Sequence, residues 1–310
     1  MQGNNARKGI IYTACSFAMW GLFPVYWKLL EQIPALDILA HRILWSFVFM
    51  CVLLTVLKKW KTGWRELRLL KSEGGLLALF FASVLISVNW FVYIWAVNHG
   101  FLLEASLGYY INPLVSVLLG ILFLKEKLNK MQTAAVSIAG AAVIISAFQY
   151  GAVPYIALLL AFSFGLYGLC KKRTRMSSTI GLTLETLLIT PAALIYLGYT
   201  ADGSTSGSLG AGTWALLFFA GVFTALPLLL FAEGAKRLPL LLFAEGAKRL
   251  PLYQVGILQY IAPTITLMLG VFVYHEPFSG QKAFTFICIW AALLLFTFSQ
   301  IKWKRPIKSR

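Results

Sequence analysis

Apolar stretches of about the length of a membrane crossing recur along the whole chain, separated by short basic or polar connections. A hydrocarbon layer of roughly 30 Å is crossed by about 20 residues at a helical rise of about 1.5 Å each. Segments of that kind fall at 9–29, 36–57, 74–97, 102–124, 131–149, 152–170, 179–199, 214–233, 252–274 and 282–300. The pattern predicts an all-α, polytopic membrane protein with ten transmembrane helices. Composition agrees: of 310 residues 59% are hydrophobic and 12% charged, and the mean hydropathy is +0.78, outside the balance of a soluble domain. The first segment has a basic start but continues through Pro24, Tyr26, Trp27 and Lys28 without a small-residue processing site, so it is read as a retained helix.

Net charge of +16 invites a nucleic-acid reading, but that needs a basic stripe on a folded domain. Here the cations are Arg7 and Lys8, Lys58 to Lys71, Lys125 to Lys130, Lys171 to Arg175, Lys236 to Arg249 and Lys302 to Arg310. These are alternate connections plus both termini, and of the 27 Lys and Arg only Lys28, Arg42 and Lys282 lie elsewhere. The positive-inside rule places both termini and the basic loops in the cytoplasm of an inner (plasma) membrane. The opposite-side loop from Ala201 to Thr213 contains neither Lys nor Arg. Cys15, Cys51, Cys170 and Cys288 are scattered through the spans without metal-ligand spacing and read as small buried side chains.

An internal repeat adds architecture to the helix count. YINPLVSVLLGILFLKEK from Tyr110 matches YIAPTITLMLGVFVYHEP from Tyr260, pairing Tyr110 with Tyr260, Ile111 with Ile261, Pro113 with Pro263, Gly120 with Gly270 and Glu126 with Glu276. The two segments lie an odd number of spans apart and so cross in opposite directions. The expectation is two inverted five-helix repeats, residues 1–150 and 151–310, the arrangement associated with transporters and central sites. Pro24, Pro113 and Pro263 are candidate kinks, each removing a backbone donor. Two readings of them stand, improved packing or the shaping of a cavity. Glu126 and Glu276 read as helix-end or interface anchors.

A separate, perfect tandem copy occurs within the second unit, where PLLLFAEGAKRL occupies 227–238 and again 239–250. Twelve residues would add roughly 18 Å of helix and turn its face by about 120°. The expected arrangement therefore lets the eighth span use the first copy and leaves the second in the connection, as a short interfacial helix.

Ionisable side chains inside membrane helices usually face protein or water, and Lys28, His41, Arg42 and Glu104 are the candidates. Lys28 and Arg42 either snorkel to the outer headgroups or pair with Glu104, forming a structural pair or a site for a charged solute. His41 titrates near physiological pH and is, with Glu104, a candidate for proton coupling, against a structural histidine. Trp20, Tyr26, Asn89, Trp90, Tyr93, Asn98, Tyr109 and Asn112 cluster on the first, third and fourth spans, with Gln254, Gln259 and Tyr260 as counterparts in the second unit. Aromatic faces and amides of this kind line a cavity for an apolar or cationic solute, although aromatics also gather at interfaces and in cores. No Walker sequence, zinc-binding His-Glu-x-x-His or Gly-x-Ser-x-Gly elbow occurs, so neither an enzyme nor a cofactor or metal is expected.

WGLFPVYWK at 20–28, AHRILWS at 40–46, NWFVYIWAVNHG at 89–100, EASLGYYINPL at 104–114 and LQYIAPT at 258–264 resemble the EamA-type permeases of the drug/metabolite transporter superfamily, over essentially the full chain. That resemblance implies a ten-helix inner-membrane transporter with a central cavity for amino acids, metabolites or drugs. It implies contacts by the matching residues Trp20, Tyr26, His41, Arg42, Asn89, Trp90, Tyr93, Asn98, Glu104, Tyr109, Asn112, Gln254 and Tyr260. The expected partners are a small-molecule solute, membrane lipids and, as a candidate coupling ion, protons; nucleic acid is not among them, and monomer and homodimer both stay open. The competing classes are a nontransporting receptor or assembly protein and a lipid flippase.

Overall fold

The computed structural model describes residues 2–125, 128–150, 153–201, 210–237 and 258–302. They form an all-α bundle of α1 (Gln2–Lys28), α2 (Ala35–Val56), α3 (Trp60–Ser72), α4 (Leu76–Asn98), α5 (Leu102–Leu124), α6 (Lys130–Tyr150), α7 (Tyr155–Thr174), α8 (Ser178–Ala201), α9 (Ala211–Arg237), α10 (Ile261–Met268, continued by one π turn, Leu269–Val273) and α11 (Gly280–Lys302). Among the described residues seven helices have the length and apolarity to cross a membrane, and Ala211–Pro227 and Ile261–Val273 are shorter apolar helices. Large apolar side chains such as Phe148, Ile195, Phe272 and Leu294 point outward. In water so much exposed apolar surface invites aggregation; facing lipid it carries no such cost.

The connection carrying Lys58 to Lys71, expected to be a basic loop, contains the helix α3. Its exposed residues include Trp60, Lys61, Trp64, Arg65 and Arg68, while Leu70 is buried. An amphipathic basic helix of this kind suits the plane of a membrane interface. The expected ninth span, 252–274, is described only from Leu258 onward, and Gln254 lies outside the described residues. Pro263 stands in the first turn of α10. There its missing N–H leaves no intrahelical bond unmade, unlike Pro24 within α1 and Pro113 within α5. α9 extends to Arg237 and takes in the first tandem copy except for Leu238; the second copy and Glu126 lie outside the described residues. All four cysteines are unbridged.

The helices interlock through a small set of partners. α7 packs on α4 and α5, α9 on α1 and α2, α8 on α2 and α4, α10 on α1 and α5, and α11 on α6. Small residues permit the closest approaches, as expected where helices associate by van der Waals packing in lipid. A Cβ at Gly221 of α9 would lie 2.3 Å from the Trp45 carbonyl carbon and 2.4 Å from the Ser46 nitrogen of α2, and one at Gly108 of α5 would lie 2.7 Å from the Ala157 oxygen of α7.

The N-terminus of α5 is capped from outside its own segment. The Leu102 and Leu103 N–H groups donate to Glu276 Oε1 and Oε2 at 2.6 and 2.9 Å. Glu276 is thus a helix-end anchor, as its place at a loop boundary suggests. It sits in the turn between α10 and α11, and burial pushes its carboxyl up from the usual carboxylate range, a rise opposed by the Leu103 and Leu102 amides and by the positive charges of Lys282 and Lys28.

Two outcomes follow for the purified protein in detergent, read from its thermal midpoint. Gly221→Ala destabilises by about 1–3 kcal/mol through overpacking against backbone, whereas Gly140→Ala, where nothing lies within 4 Å of the added Cβ, is neutral or stabilising by up to about 1 kcal/mol; equal midpoints would contradict the tight α2–α9 contact. Glu276→Ala lowers the midpoint by leaving two buried amide donors unmet, each costing about 1–3 kcal/mol. The folded state holds the Glu276 proton more tightly than the unfolded chain does. This group's titration therefore favours folding most below the ordinary carboxylate range and progressively less as pH rises through the raised value. The wild-type advantage over Glu276→Ala should accordingly shrink from pH 4 to pH 7, and an advantage growing over that range would contradict the burial.

Candidate functional site

α1 and α4 bring aromatic stripes, and α2 brings Arg42, to a cavity of about 400 Å³, closed by parts of α5, α7, α8, α9 and the start of α10. On α1, Phe17, Trp20 and Phe23 follow one another at three-residue spacing and so share a helix face. On α4, Ile86, Asn89, Trp90 and Tyr93 do the same by three- and four-residue steps. Tyr109, Asn112 and Pro113 come from α5, Phe164 and Tyr167 from α7, Leu182 from α8 and Thr224 from α9; Gln259, Ala262, Pro263 and Thr266 complete the wall. A volume of this size is typical of small-solute sites.

Most of the polar atoms in this wall are held by other protein groups. Asn89 Nδ2 donates to the Leu160 carbonyl and to Ser163 Oγ, each at 3.0 Å, tying α4 to α7. Its Oδ1 accepts from the Tyr109 hydroxyl at 3.3 Å. The Thr224 hydroxyl donates to the Ala220 carbonyl and accepts from Arg42 Nε, both at 2.8 Å. Asn112 Oδ1 accepts from Ser116 Oγ at 3.4 Å.

Arg42 is held only in part. The residue is 3% exposed, and its guanidinium carbon lies 4.2 Å from the centroid of Trp90, 4.9 Å from that of Trp27 and 6.0 Å from that of Phe23. Nη1 is buried without a hydrogen-bond partner. The ion pairs among the described residues join Lys28 to Glu31 at 2.6 Å and Lys171 to Glu185 at 2.7 Å. Glu104 therefore pairs with neither Lys28 nor Arg42, contrary to one expectation, and Arg42 does not snorkel but is buried against Trp90 and Trp27. The physical reason is placement: Glu104 stands in the first turn of α5, with Oε2 buried and unpartnered, while Arg42 points into the aromatic wall.

Of the residues singled out by sequence, Trp20, Arg42, Asn89, Trp90, Tyr93, Tyr109, Asn112 and Gln259, with Pro113 and Pro263, come together in the cavity wall. Others lie elsewhere. Tyr26 packs on Phe223, and its hydroxyl donates to the Leu216 carbonyl. His41 stands edge-on to Trp214 with Nδ1 buried and unpartnered. Asn98, at the last residue of α4, has both amide atoms buried and unpartnered. Tyr260 stacks on Tyr110 at 6.1 Å. Among the described residues no hydrogen bond or ion pair links His41 to Glu104.

Sequence reasoning passed over Glu185, which is 1% exposed, paired with Lys171 and hydrogen-bonded by the Tyr167 hydroxyl at 3.1 Å. Its position seven residues into the apolar run 179–199 was the available signal, since an acid there has to find a partner. It also passed over Thr224 and Thr266, for which a hydroxyl in an apolar helix is a weak sign, and Phe17 and Phe23, whose spacing around Trp20 was legible.

Comparison with known proteins is consistent with this geometry. The EamA-like transporter family matches at residues 7–148 and again at 153–298. The transporter YojE of Bacillus subtilis (strain 168) is 74% identical over 309 residues, covering 100% of each chain. Protein RarD of Salmonella typhi is 41% identical over 307 residues, covering 98% of this chain and 99% of its own. A solved crystal structure shares the fold at TM-score 0.53 and 18% identity, over 94% of this chain and 98% of that one. The chain therefore belongs to the EamA-like transporter family, with RarD-type relatives, and is a multi-pass bacterial membrane protein that transports rather than catalyses.

Proposed function

We propose that the chain moves a small metabolite, amino-acid-like solute or drug through the aromatic cavity by alternating access between two inverted five-helix units, residues 1–150 and 151–310. Ten of the helices serve as spans: α1, α2, α4, α5 and α6 in the first unit, and α7, α8, α9, α10 and α11 in the second. The observation that carries the reading is an exchange relation in the packing. Replacing each helix by its counterpart in the other unit converts the α1–α9 contact into α7–α4, α5–α7 into α10–α1, and α2–α9 into α8–α4. It returns α2–α8, α5–α10 and α6–α11 to themselves. Tyr110 and Tyr260, equivalent in the repeat, face each other across α5 and α10. The double family match, at 7–148 and 153–298, falls on the same division.

Two equivalent units packed in this way have two arrangements of similar free energy, related by a pseudo-two-fold rotation about an axis in the membrane plane, and rocking between them exposes a fixed central site to each side in turn. Residues Trp20, Arg42, Asn89, Trp90, Tyr93, Tyr109 and Asn112 are proposed to touch the solute, and Pro24 and Pro113 to shape the helices that bear them. The charge asymmetry of the connections supports cytoplasmic termini. His41 and Glu104 stand as separate candidate proton acceptors, each with one buried unpartnered atom.

A solute-flux screen in proteoliposomes tests the reading. At least one small solute should equilibrate faster than in protein-free vesicles, and Trp90→Ala should slow it at least tenfold. A protein that binds solute and never changes its flux would be a receptor instead. If an imposed pH gradient leaves accumulation unchanged, obligatory proton coupling is wrong.

A further inference from the structure

The cavity carries one uncompensated positive charge. Its lining contains no Asp or Glu among the described residues, and neither ion pair involves Arg42. Thr224 and the rings of Trp90 and Trp27 support the guanidinium without neutralising it. A charge buried without a counter-ion is among the costliest arrangements a protein holds, more so within a membrane, where it marks a functional site. With Nη1 buried and unbonded, what is missing is an acceptor bearing negative charge.

The surroundings narrow the class. A single guanidinium fork matches a carboxylate in charge and in geometry; a phosphate dianion would call for further cationic donors. The rest of the wall is mainly aromatic and aliphatic, with the Asn89 and Thr224 polar atoms already bonded within the protein. An ammonium group would find no acid in the lining, would meet the like charge of Arg42, and would find the Trp90 face already holding that guanidinium. That disfavours the cationic solute which an aromatic cluster alone suggests, and zwitterions with it.

We infer that the cavity takes a monocarboxylate with an apolar or aromatic body and no cationic group, its carboxylate seated on Arg42. The substrate class rests on the transport reading; the anion site itself does not. Purified protein at pH 7 is titrated with phenylacetate, 3-phenylpropionate and cyclohexanecarboxylate, with the amide of each acid, and with phenylalanine, using intrinsic tryptophan fluorescence, to which Trp20 and Trp90 at the cavity contribute, as the signal. At least one acid should bind tenfold or more tighter than its amide, and 3-phenylpropionate tighter than phenylalanine. Arg42→Gln should abolish the acid-over-amide preference and Arg42→Lys should restore part of it, in protein whose elution profile and thermal midpoint are retained. Should the Arg42 variants fail to fold, the wild-type acid-to-amide ratio decides by itself. Equal binding of acids and amides, no binding by any acid, or an unchanged preference in folded Arg42→Gln overturns the anion site, even if neutral solutes cross proteoliposomes. Arg42-dependent acid binding without flux of any solute would leave the anion site standing and overturn transport.

Discussion

Within hydrocarbon no water is present to complete a backbone amide's hydrogen bonds, so every N–H and C=O has to be satisfied by the protein itself. That requirement accounts for the all-helical fold and also for where the helices need help from one another. The first turn of a helix has donors with no intrahelical acceptor, and α5 begins without a side-chain cap of its own. Glu276, from the turn after α10, supplies both acceptors. Ser106 of α5 reciprocates by donating to the Pro263 carbonyl in α10 at 2.8 Å. These bonds tie α5 to α10, the helices that carry the repeated Tyr-Ile-x-Pro sequence.

Lipid also withdraws much of the hydrophobic drive that packs soluble helices, so contact has to come from fit and a few polar bonds. Gly108 and Gly221 bring backbones together at α5–α7 and α2–α9. Asn89 bonds α4 to α7, Arg42 bonds α2 to α9, and the Tyr196 hydroxyl donates to Asp37 between α8 and α2. Each of these links joins a helix of the first proposed unit to one of the second. The cavity lies among the same helices, so a rearrangement of one unit against the other would alter its wall directly.

Charge is distributed sparingly through this interior. Glu185 is matched by Lys171 and Tyr167, while the Lys28–Glu31 pair lies at the exposed end of α1. Arg42 alone faces the cavity with its charge unmatched among the described residues. Its retention in an aromatic wall makes sense if the counter-charge arrives with the solute and leaves with it. A fixed acid beside Arg42 would compete for that place.

Run length and hydropathy are local, additive properties of the chain. The all-α membrane class, nearly all helix positions and the basic-connection pattern were therefore legible in the sequence, as was the internal repeat carried by Tyr110 and Tyr260. The aromatic and amide stripes of α1 and α4 were legible too, because helical spacing alone puts Trp20 with Phe23 and Asn89 with Tyr93. The helix in 60–72 was hidden by its charge, which hydropathy reads as loop although the apolar positions keep helical spacing. Which of the ionisable groups would meet was decided only by tertiary structure. Arg42 bonds Thr224 across 182 positions and not Glu104, and Glu276 reaches the amide of Leu102 across 174. The side-chain identities were written along the chain, but a partner is set by how helices far apart in sequence pack side by side, and no periodicity within one helix encodes that.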